Sequence, residues 1–166
     1  TVRETGADLA LGFDGDGERC GVVDDEGEEI FADKIGLMLA RDLSGLHPNA
    51  TFVVDVKSTG LFATDELLKK NGAKTIYWKT GHSYIKRTMR AENAVFGGEV
   101  SGHYYFRDHF YADNGFSLLL TILQMLSEQG VNLRPPEAGR GASSGSGELK
   151  PPRKQARQGK HPKMYL

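Results

Sequence analysis

Short apolar runs and amphipathic stretches take turns along the first 130 residues. DLALGFD at 8–14 reads as a strand, and CGVVDDEGEEIFA sets two apolar runs around Asp25-Glu26-Gly27, the pattern of a hairpin. Over 33–43, Ile35, Leu39 and Leu43 recur at helical spacing with Met38 filling the stripe and Asp33 as the N-cap, which predicts a helix. The alternation then continues with a strand over 50–56, a helix over 61–72 closed by Gly72, and a strand over 73–79. A helix over 82–93, short strands in AVFGG and HYYFRD, and an apolar helix over 116–130 stopped by Gly130 complete it. Strand and helix in alternation predict an α/β fold, a mixed sheet layered with helices, with Val53 and Val54 in a strand buried on both faces.

The pattern stops after Gly130. Residues 131–166 hold five of the six prolines and pair 8 Lys/Arg with 2 Asp/Glu, whereas residues 1–130 carry 13 and 20. This Pro/Gly/Ser-rich basic tail has too little apolar surface to offset the entropy of ordering and is expected to be disordered. Its one aromatic, Tyr165, gives no stacking platform for single strands, so no nucleic-acid partner is expected. No apolar run nears the ~20 residues that cross a bilayer, and TVRETGADLALG lacks the basic-then-apolar order of a signal peptide. The expectation is a cytoplasmic chain with no membrane partner. Cys20, the single cysteine, can form no internal disulfide and reads as a buried structural thiol. The chain starts at Thr1 with a strand only seven residues on, which predicts further sequence upstream.

Two loops carry candidate chemistry. GFDGDGERC places Asp14, Asp16 and Glu18 at alternate positions after a strand, with Gly15 and Gly17 between them. The glycines permit the tight backbone that lets three carboxylates converge on one ion, and hard oxygen ligands suit Mg2+. Arg19 offers a fork for a phosphoryl group beside the metal. An EF-hand fails, because Arg19 and Asp25 stand where it needs Gly and Glu; a solvated acidic turn shares the spacing. In FGGEVSGHYYF, Glu99 and Ser101 can hold vicinal hydroxyls, Gly98 and Gly102 allow close backbone approach, and His103 can serve a phosphate or a proton transfer. A plain turn is the alternative there. Lys57 and His82 each fall where a strand gives way to a helix, the edge at which open α/β sheets bind ligands, although either residue alone also reads as ordinary surface.

Taken in order, FDGDGERCGVVDDEGEEIFADKI, VVDVKST, WKTGHSYIK and GGEVSGHYYF resemble the α-D-phosphohexomutase family, most closely its bacterial phosphomannomutase/phosphoglucomutase branch, over residues 8–128. The resemblance implies that residues 1–32 end that family's second domain, that 33–130 form its third, and that the first and fourth domains are partners lying outside this chain. It implies Mg2+ at Asp14, Asp16 and Glu18, with Glu18 a departure from the family's usual Asp. Arg19 and His103 would be catalytic. Lys57, His82, Glu99, Val100, Ser101, Gly102 and His103 would hold a hexose phosphate. The implied reaction is intramolecular: a phosphoserine and a bisphosphate intermediate interconvert mannose or glucose 6-phosphate and 1-phosphate. Neither the T-A-S-H-N-P-like serine loop nor the fourth domain's phosphate loop occurs in these residues, so the chain alone is expected to be inactive. Phosphoglucosamine mutase is the nearest rival, but that branch usually has Gln where Val100 stands. A non-catalytic sugar-phosphate or metal-binding remnant is the rival of another class.

Overall fold

The computed structural model describes residues 2–129 and 164–165. A one-turn helix α1 (Val2–Thr5) leads into β1 (Leu9–Phe13), which returns antiparallel as β2 (Cys20–Val23), and β3 (Glu29–Ile30) folds back on β2. Side-chain alternation sets the faces of this small sheet: Leu9, Leu11, Cys20, Val22 and Ile30 are buried, while Gly12 and Gly21 are exposed. The β2–β3 turn is held by Asp24, whose Oδ1 accepts from the backbone N–H groups of Glu26 and Glu28.

The chain then builds a second layer in the order α2 (Ala32–Leu46), β4 (Thr51–Asp55), α3 (Leu61–Thr64), α4 (Glu66–Lys70), β5 (Lys74–Trp78), α5 (His82–Ala91), β6 (Phe96–Gly98), β7 (Tyr104–Phe106), β8 (Ala112–Asp113) and α6 (Gly115–Gln129). Its sheet has the order β5-β4-β6-β7-β8, parallel from β5 to β6 and antiparallel from β6 to β8. Strand β4 is buried on both faces, as its apolar run predicts. Phe52 and Val54 join Ile35, Leu37 and Leu39 of α2 and Leu118 of α6, whereas Val53 faces Ile85 and Met89 of α5. The first cluster also takes in Leu9, Leu11 and Val22, so one apolar core underlies both sheets.

Three local expectations change. Asp33 does not cap α2, whose N-cap position is Phe31; its Oδ2 accepts from the Thr59 N–H at 2.9 Å, while Lys34 Nζ reaches Thr59 Oγ1 at 3.2 Å. The start of α2 thus ties down the turn after β4. The helix expected over 61–72 divides at Asp65, which is extended and caps α4 through Oδ1 bonds from the N–H groups of Leu67 and Leu68. Here a capping side chain outcompetes helix continuation. The third change is at the C-terminus. The disorder expected over 131–166 lies outside the described residues except at Met164–Tyr165, a two-residue strand β9 paired parallel to Leu9 and Ala10. β1 leaves a row of backbone donors and acceptors on that edge, and an extended segment can satisfy them. No helix among the described residues is long and apolar enough to cross a membrane.

Candidate functional site

Two hairpin tips meet. The Asp14–Arg19 loop joins β1 to β2; the Asp14 N–H donates to the Arg19 carbonyl at 3.4 Å and the Gly17 N–H to the Asp14 carbonyl at 3.2 Å, with Gly17 at φ +75°. The Glu99–His103 loop joins β6 to β7 and is closed by the Glu99 N–H on the His103 carbonyl at 3.0 Å and the Gly102 N–H on the Glu99 carbonyl at 3.1 Å. Gly102 has φ +89°, and a Cβ built there would lie 3.8 Å from Arg19 Cβ. Between the tips opens a cleft of about 340 Å3 lined by Asp14, Arg19, Val100, Ser101, Gly102 and the exposed ring of Phe31, among others.

The first loop is braced from behind by the start of α6. Phe13 stacks on Phe116 with centroids 5.2 Å apart, and Asn114 Oδ1 caps the helix by accepting from the N–H groups of Phe116 and Ser117. Gly115 is required by this packing, since a Cβ there would stand 2.7 Å from the Gly17 carbonyl oxygen.

Within the loop, Asp14 accepts from Arg19 twice, at Oδ2 from Nε at 2.6 Å and at Oδ1 from the backbone N–H at 3.1 Å. The Arg19 guanidinium, then its N–H, hold the Asp14 carboxyl down at about 2, and Asp16 adds a smaller pull. Asp16 and Glu18 are exposed. The three carboxylates expected to converge are therefore not gathered: like charges repel, and Arg19 gives Asp14 an adjacent counter-charge. Glu18 turns instead toward the second loop, where its carboxylate, His103 and Asp113 bring one ligating atom each within 4.8 Å of the others. As a donor set, Asp14, Asp16 and Glu18 still fit Mg2+, being hard oxygens on a glycine-spaced turn.

The second loop is anchored through buried groups. Glu99 is 5% exposed; its Oε1 accepts from Tyr105 Oη at 3.0 Å and its Oε2 from Ser101 Oγ at 3.3 Å. Burial first, and then the charges of Glu99 and Asp113, push the Tyr105 phenol far above its ordinary value, so it remains a donor to Glu99. Ser101 and the Val100 side chain are exposed at the tip, and the Val100 N–H donates to Asp55 Oδ2 at 3.1 Å. His103 Nδ1 contacts Asp113 Oδ2, its ring lies parallel to Tyr105 with centroids 6.4 Å apart, and Asp113 Oδ1 accepts from the Tyr104 N–H at 3.2 Å.

Lys57 and His82 stand apart from the cleft lining but on the same edge of the sheet. Lys57 is exposed after β4, with its N–H on Asp55 Oδ1 at 2.8 Å, and His82 is exposed at the first position of α5, after β5. β4, β5 and β6 are parallel, so the turns bearing Lys57 and His82 and the 99–103 loop all leave their carboxyl ends. Sequence reasoning passed over Asp55, Tyr105 and Asp113. A carboxylate inside the apolar run of β4 was the available signal for Asp55, and Asp-Asn-Gly ahead of an apolar helix was that for Asp113.

Comparison with known proteins gives a consistent family. The model described as phosphoglucomutase/phosphomannomutase, alpha/beta/alpha domain III, matches residues 31–135. The phosphomannomutase/phosphoglucomutase of Pseudomonas syringae pv. tomato is 39% identical over 132 residues, covering 79% of this chain and 28% of that protein. A phosphomannomutase of Escherichia coli is 38% identical over 149 residues, covering 89% of this chain and 32% of that protein. The crystal structure of a phosphoglucomutase/phosphomannomutase family protein from Burkholderia thailandensis superposes with a TM-score of 0.71 at 34% identity, over 76% of this chain and 28% of that one. The chain thus spans about a third or less of the length of these relatives.

Proposed function

The chain belongs to the phosphoglucomutase/phosphomannomutase family, and from that premise we propose that it carries the metal loop and the sugar-recognition loop of a phosphohexomutase acting on mannose or glucose phosphates. The observation that supports this best is the meeting of the two hairpin tips, with Arg19 against Gly102 and a shared cleft between them. One loop offers carboxylates and a guanidinium, the chemistry of a phosphoryl group and its counter-ion; the other offers a carboxylate and a hydroxyl, the chemistry of vicinal hydroxyls.

In this reading residues 1–32 close one domain and 33–130 form the next. Asp14, Asp16 and Glu18 would hold Mg2+, which would supply positive charge to stabilise a transferring phosphoryl group. Arg19 can leave Asp14 to fork onto a phosphate, because the pair is exposed and a metal on Asp14 would compete for the same oxygens. Glu99 keeps acceptor capacity on both oxygens beyond the bonds from Tyr105 and Ser101, and so can take sugar hydroxyls in either orientation of the substrate. His103, fixed by Asp113, stands ready to exchange a proton at Nε2, and Lys57 and His82 contact the sugar phosphate from the sheet edge. The phosphoserine would come from a first domain, within the part of the relatives' length that this chain does not span.

NMR titration of the purified chain tests the reading. Mg2+ is expected to shift the amides of Asp14–Arg19, and mannose 6-phosphate or glucose 6-phosphate those of Glu99–His103, with the second effect lost in Glu99→Ala. Absence of both responses would overturn it. The chain alone is expected not to interconvert mannose 6-phosphate and mannose 1-phosphate in a coupled assay, and turnover free of host enzyme would refute the assignment of the phosphoserine elsewhere.

A further inference from the structure

We propose that Glu18, His103 and Asp113 form a binding site for a transition-series divalent cation, Zn2+ foremost, whose ligand set shares only Glu18 with the carboxylates of the Asp14–Arg19 loop. The three residues come from separate parts of the chain: the β1–β2 loop, the end of the β6–β7 loop and β8. One ligating atom of each lies within 4.8 Å of the other two. A zinc ion held at about 2.0–2.2 Å by three ligands needs them roughly 3–3.6 Å apart, so the close His103–Asp113 contact must open to admit the ion and Glu18 must close toward it. Glu18 can supply that movement, since it is the exposed member on a hairpin tip.

The other two ligands are already oriented. The Asp113 side chain is 6% exposed and anchored through Oδ1 by the Tyr104 N–H, leaving Oδ2 against His103 Nδ1. The His103 ring is held parallel to Tyr105. Hydrogen bonds and packing behind first ligands fix their direction and strengthen binding. An ion on His103 Nδ1 replaces the His103–Asp113 contact, so binding there displaces any proton held between the two into solvent.

The donor chemistry chooses the ion. One imidazole nitrogen with two carboxylates and an open position for water suits Zn2+, whereas Mg2+ prefers oxygen donors in an octahedral shell. Occupation would cross-link the two hairpin tips and withdraw Glu18 from the Mg2+ set. Zinc binding at these three side chains is read without substrate and stands apart from the mutase reading.

The test is calorimetric titration of the purified chain with Zn2+ in excess Mg2+, on the wild type and on His103→Ala, Glu18→Gln and Asp16→Asn. One saturable site is expected, weakened at least about tenfold by His103→Ala and by Glu18→Gln and less than about twofold by Asp16→Asn. Amide spectra report whether each variant folds; should His103→Ala fail, Glu18→Gln decides alone, since its side chain is exposed. No saturable site, an affinity unmoved by Glu18→Gln, or a loss in Asp16→Asn equal to that in Glu18→Gln would overturn the proposal. The last outcome would assign the ion to the carboxylate loop instead.

Discussion

Replacing Asp55 by Asn probes the joint between the sheet and the Glu99–His103 loop with the smallest change of shape. Asp55 is fully buried at the carboxyl end of β4; Oδ1 accepts from the Lys57 N–H at 2.8 Å and from Ser58 Oγ at 3.4 Å, and Oδ2 accepts from the Val100 N–H at 3.1 Å. An amide has one acceptor oxygen. If that oxygen keeps Lys57, the new NH2 confronts the Val100 N–H, losing a bond worth roughly 1.5–3 kcal/mol to a charged acceptor and leaving a donor unpaired. Relief from burying a charge offsets part of this, so the expected loss of stability is about 2 kcal/mol, and about 4 kcal/mol for Asp55→Ala, which strands all three donors. Urea unfolding followed by circular dichroism measures the loss, and hydrogen exchange locates it. The Val100 amide should exchange at least about tenfold faster in Asp55→Asn, out of proportion to amides in the middle of β4. An Asn variant within about 0.5 kcal/mol of wild type with Val100 exchange unchanged would refute the claim that this carboxylate holds the loop.

The Asp14–Arg19 pair gives a pH window: because Arg19 lowers the Asp14 carboxyl from 3.8 to about 2, the pair's contribution is whole above about pH 4 and is lost as pH falls toward 2. A carboxyl-carbon NMR titration should place the Asp14 midpoint near 2 and return it toward 3.8 in Arg19→Gln; an unmoved midpoint would contradict the pairing. Burial pushes the Cys20 thiol up to about 11, so at pH 8 it should react with a disulfide reagent far more slowly in the native chain than in urea, and equal rates would place it at the surface. In Gly115→Ala the new Cβ meets the Gly17 carbonyl oxygen at 2.7 Å and the Phe13 ring at 3.2 Å, which should cost about 1–3 kcal/mol and shift the amides of the Asp14–Arg19 loop. A thermal midpoint and loop spectrum equal to those of wild type would show that α6 does not brace the loop.

Elements with their own periodicity were legible. The apolar stripe of α2, the doubly buried run of β4 and the hairpin at Asp25–Gly27 appear where the spacing sets them, because each records a face that must leave water. What the pattern misplaced were features decided by competition. Asp65 sits inside a helical stripe yet its side chain pays the cap of α4, and Asp33 precedes a helix yet serves Thr59 across a turn. Spacing identifies Asp and its ability to accept; it does not say which of several nearby N–H groups arrives. The pairing of Met164–Tyr165 with β1 was illegible for a related reason, since two residues carry no period and the edge they satisfy lies far away in sequence.

The site divides the same way, and the division bears on how the loops work. Asp14, Glu99, Ser101 and His103 could be singled out because each lies within a short, glycine-punctuated segment. Their supports, Asp55 and Asp113, come from other strands, and these two carboxylates clamp the Glu99–His103 loop at two places. Asp55 takes the Val100 N–H at the tip, and Asp113 takes the Tyr104 N–H where β7 begins. Just outside the clamps, Tyr105 fixes one oxygen of Glu99, and Ser101 meets the other. A loop held at three points by buried or half-buried groups loses little conformational entropy on meeting a ligand. The Asp14–Arg19 loop differs, since its main restraint is the exposed Asp14–Arg19 pair and Glu18 and Asp16 are exposed. The Glu99–His103 loop is therefore the more firmly held side of the cleft and the Asp14–Arg19 loop the more lightly held one.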